Sequence, residues 1–149
     1  MNVQFRGAEA GDVIELEEFY RAAKVSFTGL SENYSYYLLA EDGAGKKIAA
    51  IGIEPLRDVG LLRSFVFDRT FPVEQIPSML QQVLLLAQVS SLKSVFLATD
   101  KESTLSLFEA LGFRRVEHDE LPDELLSSSH AVELAKRMTT RFMCKTFSK

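Results

Sequence analysis

The sequence predicts an α/β fold of the α+β kind: a mixed, mostly antiparallel central sheet of about seven strands flanked by helices, in the order β-α-β-β-β-α-β-α-β-α-β. Three stretches carry that expectation. Residues 61–67 (LLRSFVF) mix branched and aromatic residues on both faces, as a strand covered on both sides requires. They run through the acidic, proline-containing DRTFPVEQIP into a helix whose Ile76, Met79, Leu80, Val83, Leu84 and Ala87 recur at spacings of three and four. Upstream, two apolar runs, 36–40 and 48–53, flank EDGAGKK, where Asp42-Gly43 and Gly45 accept positive φ and mark a β-hairpin.

The remaining elements follow in chain order. Residues 2–6 alternate, Val3 and Phe5 against Gln4 and Arg6, as a short edge strand does. Asp12 is placed to cap a helix with Val13, Leu16, Phe19, Tyr20 and Ala23 on one face and Glu15, Glu17 and Glu18 near its positive end. Residues 26–35, with Gly29, Ser31 and Asn33 around Leu30, read as a loop. Glu54-Pro55 closes the second hairpin strand, and RDVG leads tightly into residue 61, completing an antiparallel meander. Beyond the apolar helix come a strand at 94–98, a helix at 101–111, and a strand from Gly112-Phe113 through Val116, with Gly112 as a left-handed helix cap. Residues 121–136 hold Leu125, Leu126, Val132, Leu134 and Ala135 around SSSH, giving one broken helix or two short pieces; 139–147 alternate as a last strand.

A chain of 149 residues without repeats or linkers is expected to be one domain, 1–149. Its net charge of −4 is spread without a basic stripe, so nucleic acid is excluded as a partner. No apolar run approaches the roughly eighteen residues that span a bilayer, and MNVQFRGAEAGD has no apolar leader core, so the expectation is a cytoplasmic protein without membrane attachment. The single Cys144 rules out an intrachain disulfide, and an ordinary strand position is expected for it rather than a nucleophile's. His118 and His130 have no second ligand at helical spacing; they read as surface residues, and no metal site is expected. The leucine-dense helix is apolar on more than one face, which a buried central position or a homodimer contact would both explain.

That element order, LLRSFVF, the loop into a long helix and LSLFEALGF together resemble the GCN5-related N-acetyltransferase (GNAT) family over nearly the whole chain. Within it, IGIEPLRDVGLLRSF and ELPDELLSSS are similar to small bacterial members related to N-acetylglutamate synthase and arsinothricin acetyltransferases. The resemblance implies acetyl transfer from acetyl-coenzyme A to the amine of a small acceptor. It implies a V-shaped opening between the fourth strand and the next, where pantetheine pairs with backbone near Phe65, Val66 and Phe67. It also sets Pro72, Val73, Glu74, Gln75, Ile76 and Pro77 at the diphosphate loop, where they match none of the three defining positions of Arg/Gln-x-x-Gly-x-Gly/Ala. Pro77 deletes a donor worth roughly 1.5–3 kcal/mol. Gln75, Ile76 and Ser78 remain as implied cofactor contacts, with Arg69 as a compensating charge. Phe108 stands where many relatives carry a proton-donating tyrosine.

Arg63 and Glu54 are charges embedded in apolar strands, where each needs a partner or a polar cleft. In one reading Arg63 clamps a substrate carboxylate and Glu54 accepts an amine or its proton; in the other Arg63 reaches a rim carboxylate such as Asp58 and Glu54 ends a strand. Strict alternation puts Ser64 on the opposite face from Arg63. Tyr34, Tyr36 and Tyr37 either face an acceptor pocket or pack the hairpin. Two functions of different class are consistent with these residues: an acetyltransferase acting by direct attack of the amine, and a catalytically silent module that keeps the fold to bind a ligand or a protein.

Overall fold

Backbone hydrogen bonding resolves the predicted alternation into seven strands of one sheet, ordered β1-β2-β3-β4-β5-β7-β6, in a computed structural model that describes residues 2–147. The strands are β1 (Gln4–Gly7), β2 (Tyr37–Glu41), β3 (Lys47–Leu56), β4 (Val59–Phe67), β5 (Ser94–Thr99), β6 (Arg114–Val116) and β7 (Arg141–Thr146). The helices are α1 (Val13–Ala22), α2 (Leu30–Asn33), α3 (Ile76–Val89), α4 (Glu102–Ala110), α5 (Asp123–Leu126) and α6 (Ser129–Ala135). This is the mixed, mostly antiparallel architecture expected from the sequence. The chain divides into two compact units, the first running to Glu54 and resuming over Arg63–Ala87, the second comprising Pro55–Leu62 and the residues from Gln88 on.

In the first unit β1 and β2 pair antiparallel from Gln4↔Glu41 to Gly7↔Leu38, and β2 pairs antiparallel with β3 up to Tyr37↔Gly52. Asp42 builds the hairpin turn as its spacing predicts: its carboxylate accepts the N–H groups of Ala44 and Lys46, and Gly45 takes φ +83°. β3 runs through Glu54-Pro55 instead of ending there. Register explains why. β2 has run out beyond Gly52, so the missing Pro55 N–H has no β2 acceptor to serve. The core joins Leu16 and Tyr20 of α1 to Leu30, Tyr37, Leu39 and Ala50. Gly52 lies under the Tyr37 ring, where a Cβ would collide with it. Residues 26–35 are less irregular than their polar composition predicts. Fully buried Leu30 anchors the α2 turn, entered through Gly29 at φ +85° and followed by a 3-10 turn over Tyr34–Tyr36.

Asp12 does not cap α1. Its carboxylate turns back to accept the Glu9 N–H at 2.7 Å and meets Arg6 at 2.8 Å through both terminal nitrogens, while Arg6 also reaches Glu41 at 3.0 Å. Lys47, 8% exposed, bonds Asp12 at 3.1 Å and Glu15 at 3.2 Å. The network ties α1 to β1, β2 and β3. The Arg6 guanidinium holds the Asp12 carboxyl well below the usual carboxylate range despite its burial.

In the second unit β5 pairs parallel with β4 over Val59↔Ser94 to Leu61↔Phe96, antiparallel with β7 from Ser94↔Thr146 to Thr99↔Arg141, and β7 pairs with β6. Leu61, Phe96, Val116, Leu125, Ala131 and Phe142 form its core. Gly112 takes φ +95° after α4 as its position predicts, and the Lys145 ammonium donates to the Leu111 carbonyl at 2.7 Å. The segment 121–136 resolves into two short helices, α6 being opened by the Ser128 hydroxyl, which accepts the Ala131 N–H.

Because the Asp12 pKa is depressed on folding, its contribution is complete above the unfolded value of about 3.9 and is lost as pH falls below it. Asp12→Asn is expected to lower unfolding free energy at pH 7 by about 1–3 kcal/mol, Arg6 being partly solvated. The gap between variant and wild type should begin to narrow in urea titrations repeated near pH 3 and close only at still lower pH, once the folded-state carboxyl is itself protonated.

Candidate active site

The candidate site grows from the middle of β4, where Leu62 is followed by Arg63 and Ser64. Ser64 adopts φ +58°, a left-handed conformation inside the strand, and the expected alternation fails there. Arg63 and Ser64 therefore act on the same side. The Arg63 Nε lies 3.4 Å from the Ser64 hydroxyl, Arg63 Nη2 donates to the Ser26 hydroxyl at 3.3 Å, and the Ser64 hydroxyl donates to the Ser26 carbonyl at 2.9 Å.

The Arg63 side chain is only 5% exposed and lies 3.7 Å from the Glu54 carboxylate. The rim partner considered from the sequence, Asp58, is instead paired with Lys93 in the second unit. Two phenols complete the cluster. Burial pushes the hydroxyls of Tyr20 and Tyr37 up; the Arg63 charge opposes this at both, and Glu54 adds to it at Tyr37. Tyr37 thus lies within electrostatic reach of Arg63, while Tyr36 is half-buried on the turn before β2. Ser26 is a member that the sequence does not reveal, and neither does the sequence reveal Tyr20 as the buried ring edge-on to Tyr37. Tyr20 falls on the apolar face of α1 and reads as packing, and Ser26 follows the helix in a segment without periodicity. Chemically the cluster offers a nearly buried cation, a carboxylate beside it, and hydroxyl donors.

Farther along β4, Phe65, Phe67 and Phe71 form an aromatic row with centroids 5.5 and 5.7 Å apart, and Phe67 is 40% exposed. Val66 packs on the first unit's core. The loop that follows is shaped by Asp68, whose carboxylate accepts from Thr70 and whose N–H reaches the Ile48 carbonyl. Two of the residues implied as diphosphate contacts already use their N–H groups: Gln75 donates to the Pro72 carbonyl and Ile76 to that of Val73. Arg69 is exposed and has no ion-pair partner among the described residues. Phe108 is buried in the second unit, edge-on to Phe113 at 5.1 Å.

Among the described residues no group of three or more His, Cys, Asp or Glu could hold a metal ion, and no helix is long and apolar enough to cross a membrane. Cys144 is buried on β7, and burial pushes its thiol up, as an ordinary strand position entails. His118 is exposed, with its ring edge-on to Phe142; His130 is half-buried.

No protein-family model matches the chain. The Bacillus subtilis (strain 168) protein YwlB is 34% identical over 134 residues, covering 89% of this chain and 90% of that protein. Among solved structures, Mycobacterium tuberculosis Rv2747, in complex with CoA and NLQ, superposes with a TM-score of 0.75 at 20% identity, over 97% of this chain and 99% of that one. Neisseria gonorrhoeae N-acetylglutamate synthase, with coenzyme A and N-acetyl-glutamate, gives 0.73 at 14% identity; this chain is covered completely but spans only 36% of that enzyme. A Sinorhizobium meliloti GNAT superfamily phosphinothricin acetyltransferase with AcCoA gives 0.68 at 16% identity, over 99% of this chain and 90% of that one. The chain belongs to the same family as YwlB, and its fold is the GNAT fold.

The left-handed Ser64 sets a steric condition on β4. Ser64→Gly is expected to keep stability within about 1 kcal/mol, the freer backbone offsetting the lost bond to Ser26. Ser64→Val, branched at Cβ, should lose about 1–3 kcal/mol. Urea unfolding of the two variants checks both values.

Proposed function

We propose that this chain is a cytoplasmic N-acetyltransferase that moves an acetyl group from acetyl-coenzyme A to the amine of a small, carboxylate-bearing acceptor by direct attack. The observation that carries the reading is Arg63, a nearly buried guanidinium on the central strand of a GNAT fold, 3.7 Å from Glu54 and touched otherwise by serine oxygens. Supporting it, similar folds have been solved with CoA and N-acetyl-glutamate or with AcCoA.

Two parts of the cofactor find different receptions. The β4 backbone near Phe65, Val66 and Phe67 is the segment that pairs with the pantetheine arm through its main chain. The diphosphate finds fewer donors, because the Gln75 and Ile76 N–H groups are engaged and Pro77 has none. That leaves Arg69 and the Ser78 side chain to hold it, with Glu74 opposing.

Acetyl-coenzyme A brings an acyl carbon already activated as a thioester. Arg63 holds the acceptor carboxylate, its planar fork matching two oxygens, and Glu54 accepts a hydrogen bond from the amine beside it. Backbone N–H groups near Phe65, Val66 and Phe67 stabilise charge developing on the acyl oxygen. As the C–N bond forms and the C–S bond breaks, the amine's proton passes to Glu54 or solvent, and the departing thiolate, with no donor in Phe108, is protonated by water or another group. Positioning supplies the rest of the acceleration, and no covalent enzyme intermediate is required.

Acetyl-coenzyme A is expected to raise the melting temperature, by linkage worth about 2.7 kcal/mol at a hundredfold excess over Kd. No shift at millimolar concentration overturns the acyl-transfer reading and favours a silent module. Arg63→Ala should raise KM for an acidic amine about tenfold or more, one charge-assisted bond being worth roughly 1.5–3 kcal/mol, while the cofactor shift persists. Equal loss of both removes its assigned role. Arg69→Ala should weaken acetyl-coenzyme A binding and flatten its salt dependence, measured by calorimetry between low and moderate ionic strength.

A further inference from the structure

α3 is the longest of the described helices, and its charge pattern is unlike that of the others. Its inward side is the buried set Met79, Leu80, Val83, Leu84 and Ala87. Its outward side, set by spacings of three and four, presents Gln81, Gln82, Leu85, Gln88 and Val89, all exposed, Leu85 by 53% and Val89 by 70%. No residue from Gln75 to Leu92 is charged, in a chain where 26% are. The solvated sides of α1 and α4 carry Glu15, Glu18, Arg21, Glu102 and Glu109, as an outward helix face ordinarily does.

The polar members of this face decide what covers it. A glutamine amide donates through its nitrogen and accepts through its oxygen, so one glutamine bonds another. A partner of either charge finds nothing here to complement it. A second copy of the chain does. A two-fold contact sets each residue of the face near its own counterpart, which repels where the face is charged and bonds where it is amide. Leu85 is the centre of such a contact, with Gln81 and Gln82 a turn before it and Gln88 and Val89 a turn after. A charge-free middle holding bare apolar side chains is also the composition of an interface core. The face begins beyond Ser78, so the residues proposed for the diphosphate stay outside it.

We propose that the outer face of α3 is a homodimer interface, in which Leu85 packs on its counterpart in a second copy and the glutamine amides pair around it. A strip of one helix offers less than the roughly 800 Å² per partner of a standard interface, so the dimer forms reversibly with concentration.

Sedimentation equilibrium of the intact chain, from about 10 μM to about 1 mM, is expected to show a monomer–dimer equilibrium. Leu85→Lys and Leu85→Glu should each weaken it about tenfold or more, because the axis sets the new charge against its own copy. Their equimolar mixture should recover the dimer, since lysine then meets glutamate. Melting temperatures of dilute samples should match the wild type, Leu85 being half exposed. The proposal falls if the wild type stays monomeric throughout, if either variant dimerises as the wild type does, or if the mixture associates no better than its components. Gln82→Lys adds charge to the same face without removing an apolar side chain; should a Leu85 variant fail to fold, undiminished association of Gln82→Lys overturns the proposal. Acetyl-coenzyme A is left out of every sample, so these outcomes are independent of the acyl-transfer reading.

Discussion

At residue 64 the central strand turns through a conformation that serine adopts only at a cost, φ +58°, about 1–3 kcal/mol for a non-glycine residue. Three polar contacts depend on that turn: Arg63 to Ser64, Arg63 to Ser26, and Ser64 to the Ser26 carbonyl. A regular strand would send the two side chains to opposite faces. The guanidinium would then lose its serine oxygens, and Glu54 would be its only partner among these residues. Strain in β4 is thus the condition for the polar cluster, and it is stored in a strand whose Leu61 and Leu62 are firmly buried.

The cluster also shows how sheet and helix cooperate. α1 contributes Tyr20 from its apolar face, and the network of Arg6, Asp12, Glu41 and Lys47 fixes that helix against the strands. Burial alone would push the Lys47 ammonium down, yet its bonds to Asp12 and Glu15 more than offset this and leave it raised. A fully paired ionic network on one side of α1 contrasts with an unpaired phenol on the same helix. Ions that hold the fold are satisfied internally, whereas the Tyr20 hydroxyl has no partner among the described residues.

The order of strands and main helices along the chain, the EDGAGKK hairpin, the Gly112 cap and the split at SSSH were legible because periodicity and turn chemistry act locally, whereas the lateral order that sets β7 between β5 and β6 was not. Arg63 and Glu54 were legible as site candidates because charge amid apolar residues is conspicuous in one dimension. What lay hidden needed the third dimension. Asp12 sits where a cap belongs, but Arg6 and Lys47 arrive from strands to claim it. Pro55 marks a strand end unless the neighbouring register is known. Tyr20 has the spacing of a core residue, and only the lack of a partner for its oxygen among the described residues distinguishes it. The bend at Ser64 has no sequence sign, since nothing in LLRSFVF favours positive φ at that serine.

The ends of the sheet carry one more consequence. The terminal strands β1 and β6 are four and three residues long, and each includes arginine: Arg6 in the first, Arg114 and Arg115 in the second. An incoming β-segment seeking to extend the ladder would find few main-chain groups to engage and would have to dehydrate a guanidinium to do so. An open sheet so finished resists templated polymerisation, even with a core rich in branched and aromatic side chains.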